Sequence, residues 1–149
     1  MSHIRRQIRD AIITVLQANV PSVGMRVYPT RTYPVDANAM PALCVYTLSE
    51  ESAVDSLGPS RGLTRVLDVV IEAVTKVNST LDDALDQICQ EVESAIGLDT
   101  KFDGLVHDCL LTATRIAITG KGETETGSAA MTFRLQYRTR AADPSVNAI

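Results

Sequence analysis

Residues 128–140 read SAAMTFRLQYRTR, an unbroken alternation of period two. Ala129, Met131, Phe133, Leu135, Tyr137 and Thr139 take one side, and Ala130, Thr132, Arg134, Gln136, Arg138 and Arg140 take the other. Successive strand residues point to opposite faces, so this stretch predicts a strand with one apolar face and one charged face. Residues 63–75, LTRVLDVVIEAVT, predict a second. There Leu63, Arg65, Leu67, Val69, Ile71 and Ala73 share a face, and Thr64, Val66, Asp68, Val70, Glu72 and Val74 share the opposite one, which mixes valines with charges. At ~3.3 Å per residue each strand would span roughly 40 Å. That exceeds the usual strand, so the two should project past the core or bend at bulges.

Upstream of the first stretch, CLLTATRIAIT (109–119) predicts another strand. The Gly-bounded polar loop GKGETETG (120–127) joins it to 128–140 as a hairpin. Residues 80–96 predict a helix with Leu81, Leu85, Ile88, Val92 and Ile96 on its apolar stripe, N-cap candidates in Asn78, Ser79 and Thr80, and Gly97 as its stop. Asp82, Asp83 and Asp86 crowd its first turns, where they complement the helix dipole. Residues 3–18 predict an N-terminal helix capped by Ser2, with Ile4, Ile8, Ala11, Ile12, Val15 and Leu16 inward and Ile13 exposed. A connector with Pro21, Gly24, Pro29, Pro34 and Pro41 follows, with a short extended piece at 25–28. Pro41 then opens a β-favouring run, ALCVYTL (42–48), and the polar SEESAVDSLGPSRG (49–62) reads as a long loop. The expectation is an α+β fold with two helices packed on one face of a four- to five-stranded, mainly antiparallel sheet, with long projecting strands and loops. It places a single domain over 1–140 and a flexible C-terminal tail over 141–149.

The 149 residues carry a net charge of −4, with 45% hydrophobic residues and no Trp, two Phe and four Tyr. This is the balance of a globular chain; it makes a poor general nucleic-acid binder and leaves few aromatics to stack on bases or sugars. Cys44, Cys89 and Cys109 lie in apolar segments without a paired spacing, which predicts buried reduced thiols. Neither a signal peptide nor an apolar run of ~20 residues is present in the sequence, so no membrane partner is expected.

No GxSxG, Walker A, HExxH or Rossmann glycine pattern occurs, and no catalytic residue, cofactor or metal ligand is expected. Gly120-Lys121-Gly122 lacks the following helix that a phosphate loop needs. Asp103, His107 and Asp108 lie close in sequence and read as a turn with a surface histidine. What remains is surface character. The face bearing Arg134, Arg138, Arg140, Asp68 and Glu72 has two readings: a solvated face of cross-strand ion pairs, or an assembly face with a charged rim. Further contact candidates are Arg5, Arg6 and Arg9 on the first helix, Glu50, Glu51 and Arg61 in the 49–62 stretch, Arg65 on its strand, and Lys121 and Glu123 at the hairpin tip.

The ordering of these elements resembles the tail terminator (minor tail, tail-completion) proteins of long-tailed bacteriophages. The resemblance rests on the helix with Ile4, Ile8, Ile12 and Leu16 before the Pro-rich connector, and on Pro41-Ala42-Leu43-Cys44-Val45-Tyr46 running into Glu50 and Glu51. It rests also on the strand from Val66 to Val74, the helix opening Leu81-Asp82-Asp83-Ala84-Leu85-Asp86, and the closing Leu135-Gln136-Tyr137. It implies a virion subunit, assembled in the host cytoplasm, that forms a homo-hexameric ring. Such a ring caps the tail tube protein, stops its polymerisation and docks a neck or head-completion protein. It also implies transient, sequence-blind contact with viral DNA in the channel. A neighbouring neck or head–tail joining subunit fits the same outline, and a small α+β ligand-binding domain or enzyme is the reading from a different class.

Overall fold

The computed structural model describes residues 2–30, 40–58, 61–76, 79–119 and 126–147. Tyr33, Pro34, Asn78, Lys121, Glu123 and the Gly120-Lys121-Gly122 stretch lie outside them. The elements run α1 (Ile4–Asn19), β1 (Val27–Tyr28), β2 (Ala42–Val54), β3 (Gly62–Lys76), α2 (Leu81–Leu98), β4 (Asp108–Thr119), β5 (Thr126–Arg140) and β6 (Asp143–Asn147). The described strands form one sheet of order β1-β2-β3-β5-β4, with β6 beside the end of β5. Only β1 and β2 pair in parallel. The class is α+β, as the alternation predicts.

Both helices lie on the face the alternation selects. Leu67, Val69 and Ile71 on β3 and Met131, Phe133, Leu135 and Tyr137 on β5 are buried there. They share a core with Ile4, Ile8, Ile12 and Leu16 of α1 and with Leu81, Leu85, Ile88, Val92 and Ile96 of α2. With so few aromatics, branched aliphatics fill it. The β3–β5 ladder runs without a shift from Gly62↔Arg140 to Lys76↔Thr126, so the two longest strands hold one register. Bulges fall instead on the outer strands, at Leu48 in β2 and Thr112 in β4.

Five expectations give way. The polar run after Leu48 is not a long loop: β2 continues to Val54, pairing Ser49–Val54 with Leu63–Asp68. Backbone hydrogen bonds hold this edge, and its side chains need not be apolar, so hydropathy leaves it unmarked. The segment after Arg140 is not wholly a frayed tail, because Asp143–Asn147 forms β6, tied by Asn147 Nδ2 donating to the carbonyls of Gly104 (3.0 Å) and Leu105 (2.9 Å). The N-cap of α1 is His3, whose Nδ1 accepts from the Arg5 N–H at 3.0 Å, and not Ser2. Finally, α2 passes through Gly97 to Leu98, and Ile13 packs against the core.

The turn from α2 into β4 is built on the Asp99 carboxylate, which accepts from the N–H of Lys101 (3.1 Å) and Asp103 (2.8 Å), with Phe102 buried as a plug. Asp103 sits at φ 57, and His107 is exposed, with its N–H donating to the Gln136 carbonyl at 2.7 Å.

Candidate assembly surfaces

Under the N-terminus of α1 lies a charged cluster. Glu50 Oε2 accepts from Arg5 Nη1 at 2.6 Å and Arg65 Nη1 at 3.1 Å, and Glu50 Oε1 accepts from the Tyr137 hydroxyl. Arg65 Nε also donates to Thr139 Oγ1 at 2.9 Å. Side-chain exposure is 10% for Glu50 and 11% for Arg65 but 37% for Arg5. Glu50 and Arg65 therefore work inside the subunit rather than on its surface. The physical reason is register: after the Leu48 bulge, Glu50 falls opposite Leu67 and shares the helix-covered face with Arg65 and Tyr137. Burial first, then hydrogen bonding to Glu50, pushes the Tyr137 hydroxyl far above its ordinary 10.0. Burial, then the charges of Arg5 and Arg65, lowers His3.

On the open face, charges pair across strands. Arg134 Nε donates to Asp68 Oδ1 at 3.2 Å, and Arg138 donates to both oxygens of Asp55 at 2.6 and 2.9 Å. The Arg138 and Thr64 hydrogen bonds hold Asp55 down at about 2. Tyr46 OH donates to Glu72 at 2.9 Å, and burial raises Glu72. Among the other candidates, Arg6 lies 3.9 Å from Asp10 on the exposed side of α1, while Glu51, Arg61 and Arg140 are exposed. Arg9 borders a cleft of about 240 Å³ with Pro29, Val45 and Tyr46, and its buried Nε has no hydrogen-bond partner among the described residues.

The most exposed apolar strand is one that sequence reading did not mark as a surface. β4 is a sheet edge, and Leu110, Leu111, Ile116 and Ile118 stand exposed on it, the last two at 56% and 60%. Leu111 and Ile116 oppose Phe133 and Ala129 on the helix side, yet α2 does not cover them. A continuous apolar run reads as burial within one chain. Nothing in CLLTATRIAIT distinguishes that from burial between chains. Among the described residues no cluster of three His, Cys, Asp or Glu is placed to hold a metal, and no helix is long and apolar enough to cross a membrane.

A small α+β subunit whose polar groups are largely satisfied internally, and which gathers four exposed large aliphatic side chains along one sheet edge, has the make-up of an assembly component. The chain belongs to the phage minor tail protein U family, whose sequence model matches residues 3–137. It is thus a structural virion protein of the phage tail. Among solved structures, the fold is similar to a chain from the virion of a native gene transfer agent particle, at 18% identity and TM-score 0.61, covering 89% of this chain and 95% of that one. No curated protein sequence matches.

Proposed function

We propose that this subunit terminates the phage tail. Six copies close into a ring that caps the tail tube protein, stops its polymerisation and offers a surface to a neck or head-completion protein. The role is structural and not catalytic, and DNA leaving the head passes the ring with weak, sequence-blind contacts from its arginines. The observation that carries the reading is the twelve-residue edge strand β4 with its exposed leucines and isoleucines. Such a strand is a liability in a monomer and an asset in a closed assembly, where no edge is left over. Family membership supports the tail location.

The test is a phage lacking the gene, viewed by electron microscopy. Tails of abnormal length that bind no heads are expected, and the supplied protein should restore normal length. Tails of normal length that fail to join heads would overturn termination and assign the subunit to the neck. The purified ring should weigh close to six times 16.1 kDa.

A further inference from the structure

The sheet has two bare edges on opposite sides. Beyond β4, nothing pairs among the described residues. At the other side β1 pairs only with Leu43 and Cys44, so Leu48–Val54 of β2 is likewise without a neighbouring strand among them. Neither edge is blunted by proline, and residues 110–118 of β4 contain a single charge, Arg115.

We infer that these edges are halves of one contact: β4 of one copy adds, antiparallel, to Leu48–Val54 of the next, with Arg115 facing Glu51. The inference rests on the ring reading above and gives it an interface. Charge selects the occupant. Arg115 lies on the open face, opposite Ala130, and Glu51 lies on that face too, opposite Val66. Both are exposed, and neither side chain makes a hydrogen bond or ion pair among the described residues; Glu51 acts on Arg134 only through space. A second copy of this chain therefore brings the missing countercharge to each.

Pairing these two residues fixes the register between the bulges at Leu48 and Thr112 through the two-residue period of the sheet. Ile116 comes opposite Glu50, and Ile118 reaches the exposed Leu48 at the bulge. Ile116 is on the helix side of β4, and Ile118, two residues on, shares it. There a cleft of about 410 Å³ opens along the β2 edge, bordered by Arg5, Thr47, Leu48, Ser49, Glu50 and Leu67. The isoleucines enter it and leave water.

Direction agrees as well. β2, β3, β5 and β4 alternate in sense, so β4 runs antiparallel to β2 within one copy. A rotation axis along the strands preserves that relation between copies. The two edges differ in sequence, so the contact is head-to-tail and repeats until the ring closes.

The test uses the full chain, alone and with tail tubes, read by native mass spectrometry and electron microscopy. Glu51→Arg and Arg115→Glu should each lower the ring fraction at least tenfold, and the double exchange should restore it. Both side chains are exposed and unpaired, so circular dichroism should be unchanged in all three. Independently, Ala53→Cys with Ala113→Cys should give an oxidised ladder of cross-linked subunits, because this register makes the two residues direct cross-strand neighbours, within disulfide reach. Rings that survive both reversals, or a cysteine pair that never cross-links within intact rings, would overturn the edge pairing and leave the ring reading standing. A wild-type chain that stays monomeric with and without tubes would overturn the ring reading and the edge pairing together.

Discussion

Replacing Glu50 by Ala is the perturbation that most directly tests how the arm of β2 is tied to the core. The carboxylate neutralises two arginines and accepts from Tyr137, and removing it leaves Arg65, 11% exposed, without an anion. Removing one partner of a buried ion pair costs about 3–5 kcal/mol, because the remaining charge stays desolvated. Domains are stable by about 5–15 kcal/mol in total. At about 2–4 °C per kcal/mol for a chain of this size, the melting point should fall by about 6–20 °C. Arg5→Ala is the internal control. Arg5 is 37% exposed, and its loss leaves the Arg65–Glu50–Tyr137 core of the cluster whole. Solvent screening discounts its pair to about 1 kcal/mol. The assay is urea unfolding followed by circular dichroism, at one protein concentration and one association state, since assembly raises apparent stability. If Glu50→Ala costs less than about 1 kcal/mol, or Arg5→Ala costs as much as Glu50→Ala, the cluster is a solvated surface network and the burial argument fails.

Asp55, held at about 2 by Arg138 and Thr64, binds fewer protons folded than unfolded between its ordinary 3.8 and that value. Stability should therefore fall as pH drops through this window, and Asp55→Asn should flatten that part of an acid-unfolding curve. Tyr137 is raised, so the folded chain holds a proton the unfolded chain gives up above pH 10.0; stability should decline with rising pH from there, and Tyr137→Phe should make that decline shallower, the raised thiols keeping the remainder. Burial pushes the Cys89 thiol to about 11 and the Cys109 thiol to about 12, so at neutral pH neither should react with iodoacetamide until urea unfolds the protein, as mass spectrometry would read. A Cβ at Gly127 would stand 2.5 Å from Leu81 Cδ1, so Gly127→Ala should force the Leu81 side chain out of its buried position and cost about 1 kcal/mol in the same urea assay.

The parts of the fold that were legible in sequence are those in which one face is dry and the other wet. β5 was read almost residue for residue, because Met131, Phe133, Leu135 and Tyr137 meet the helices while Arg134 and Gln136 meet water. The apolar stripes of α1 and α2 were equally plain. Legibility failed where backbone pairing, rather than side-chain burial, makes a strand. Ser49–Val54 and Asp143–Asn147 are held by ladders whose side chains are mostly polar or exposed, the inward-turned Glu50 included among the polar ones, so neither leaves a hydropathy trace. It failed for the candidate surface in the opposite sense. Glu50 and Arg65 looked like surface charges because sequence cannot show a β-bulge at Leu48 turning Glu50 beneath α1. The apolar β4 was legible as a strand but not as a surface, because sequence cannot show that the sheet ends there.

The buried charge of β2 and the exposed aliphatics of β4 together bear on how the subunit works. The chain places charge inside, where Glu50 anchors the root of the β2 arm to α1 and β5, and places aliphatic surface outside, on β4. A monomer selected only for its own stability would do the reverse, since apolar burial is favourable and charge burial is costly. The inversion makes sense if the arm must present a fixed backbone edge to a neighbour. A buried ion cluster with several directional hydrogen bonds holds orientation better than aliphatic packing, which tolerates sliding. Aromatic anchors are scarce, with no Trp in the chain, so in the proposed ring each contact between copies would be modest and stability would come from repetition around the closed assembly. Weakening the root of the arm should then impair assembly more than it impairs folding. An Arg65→Met variant that is folded by circular dichroism should form rings only at higher protein concentration than wild type. If it forms them at the same concentration, the cluster serves stability alone.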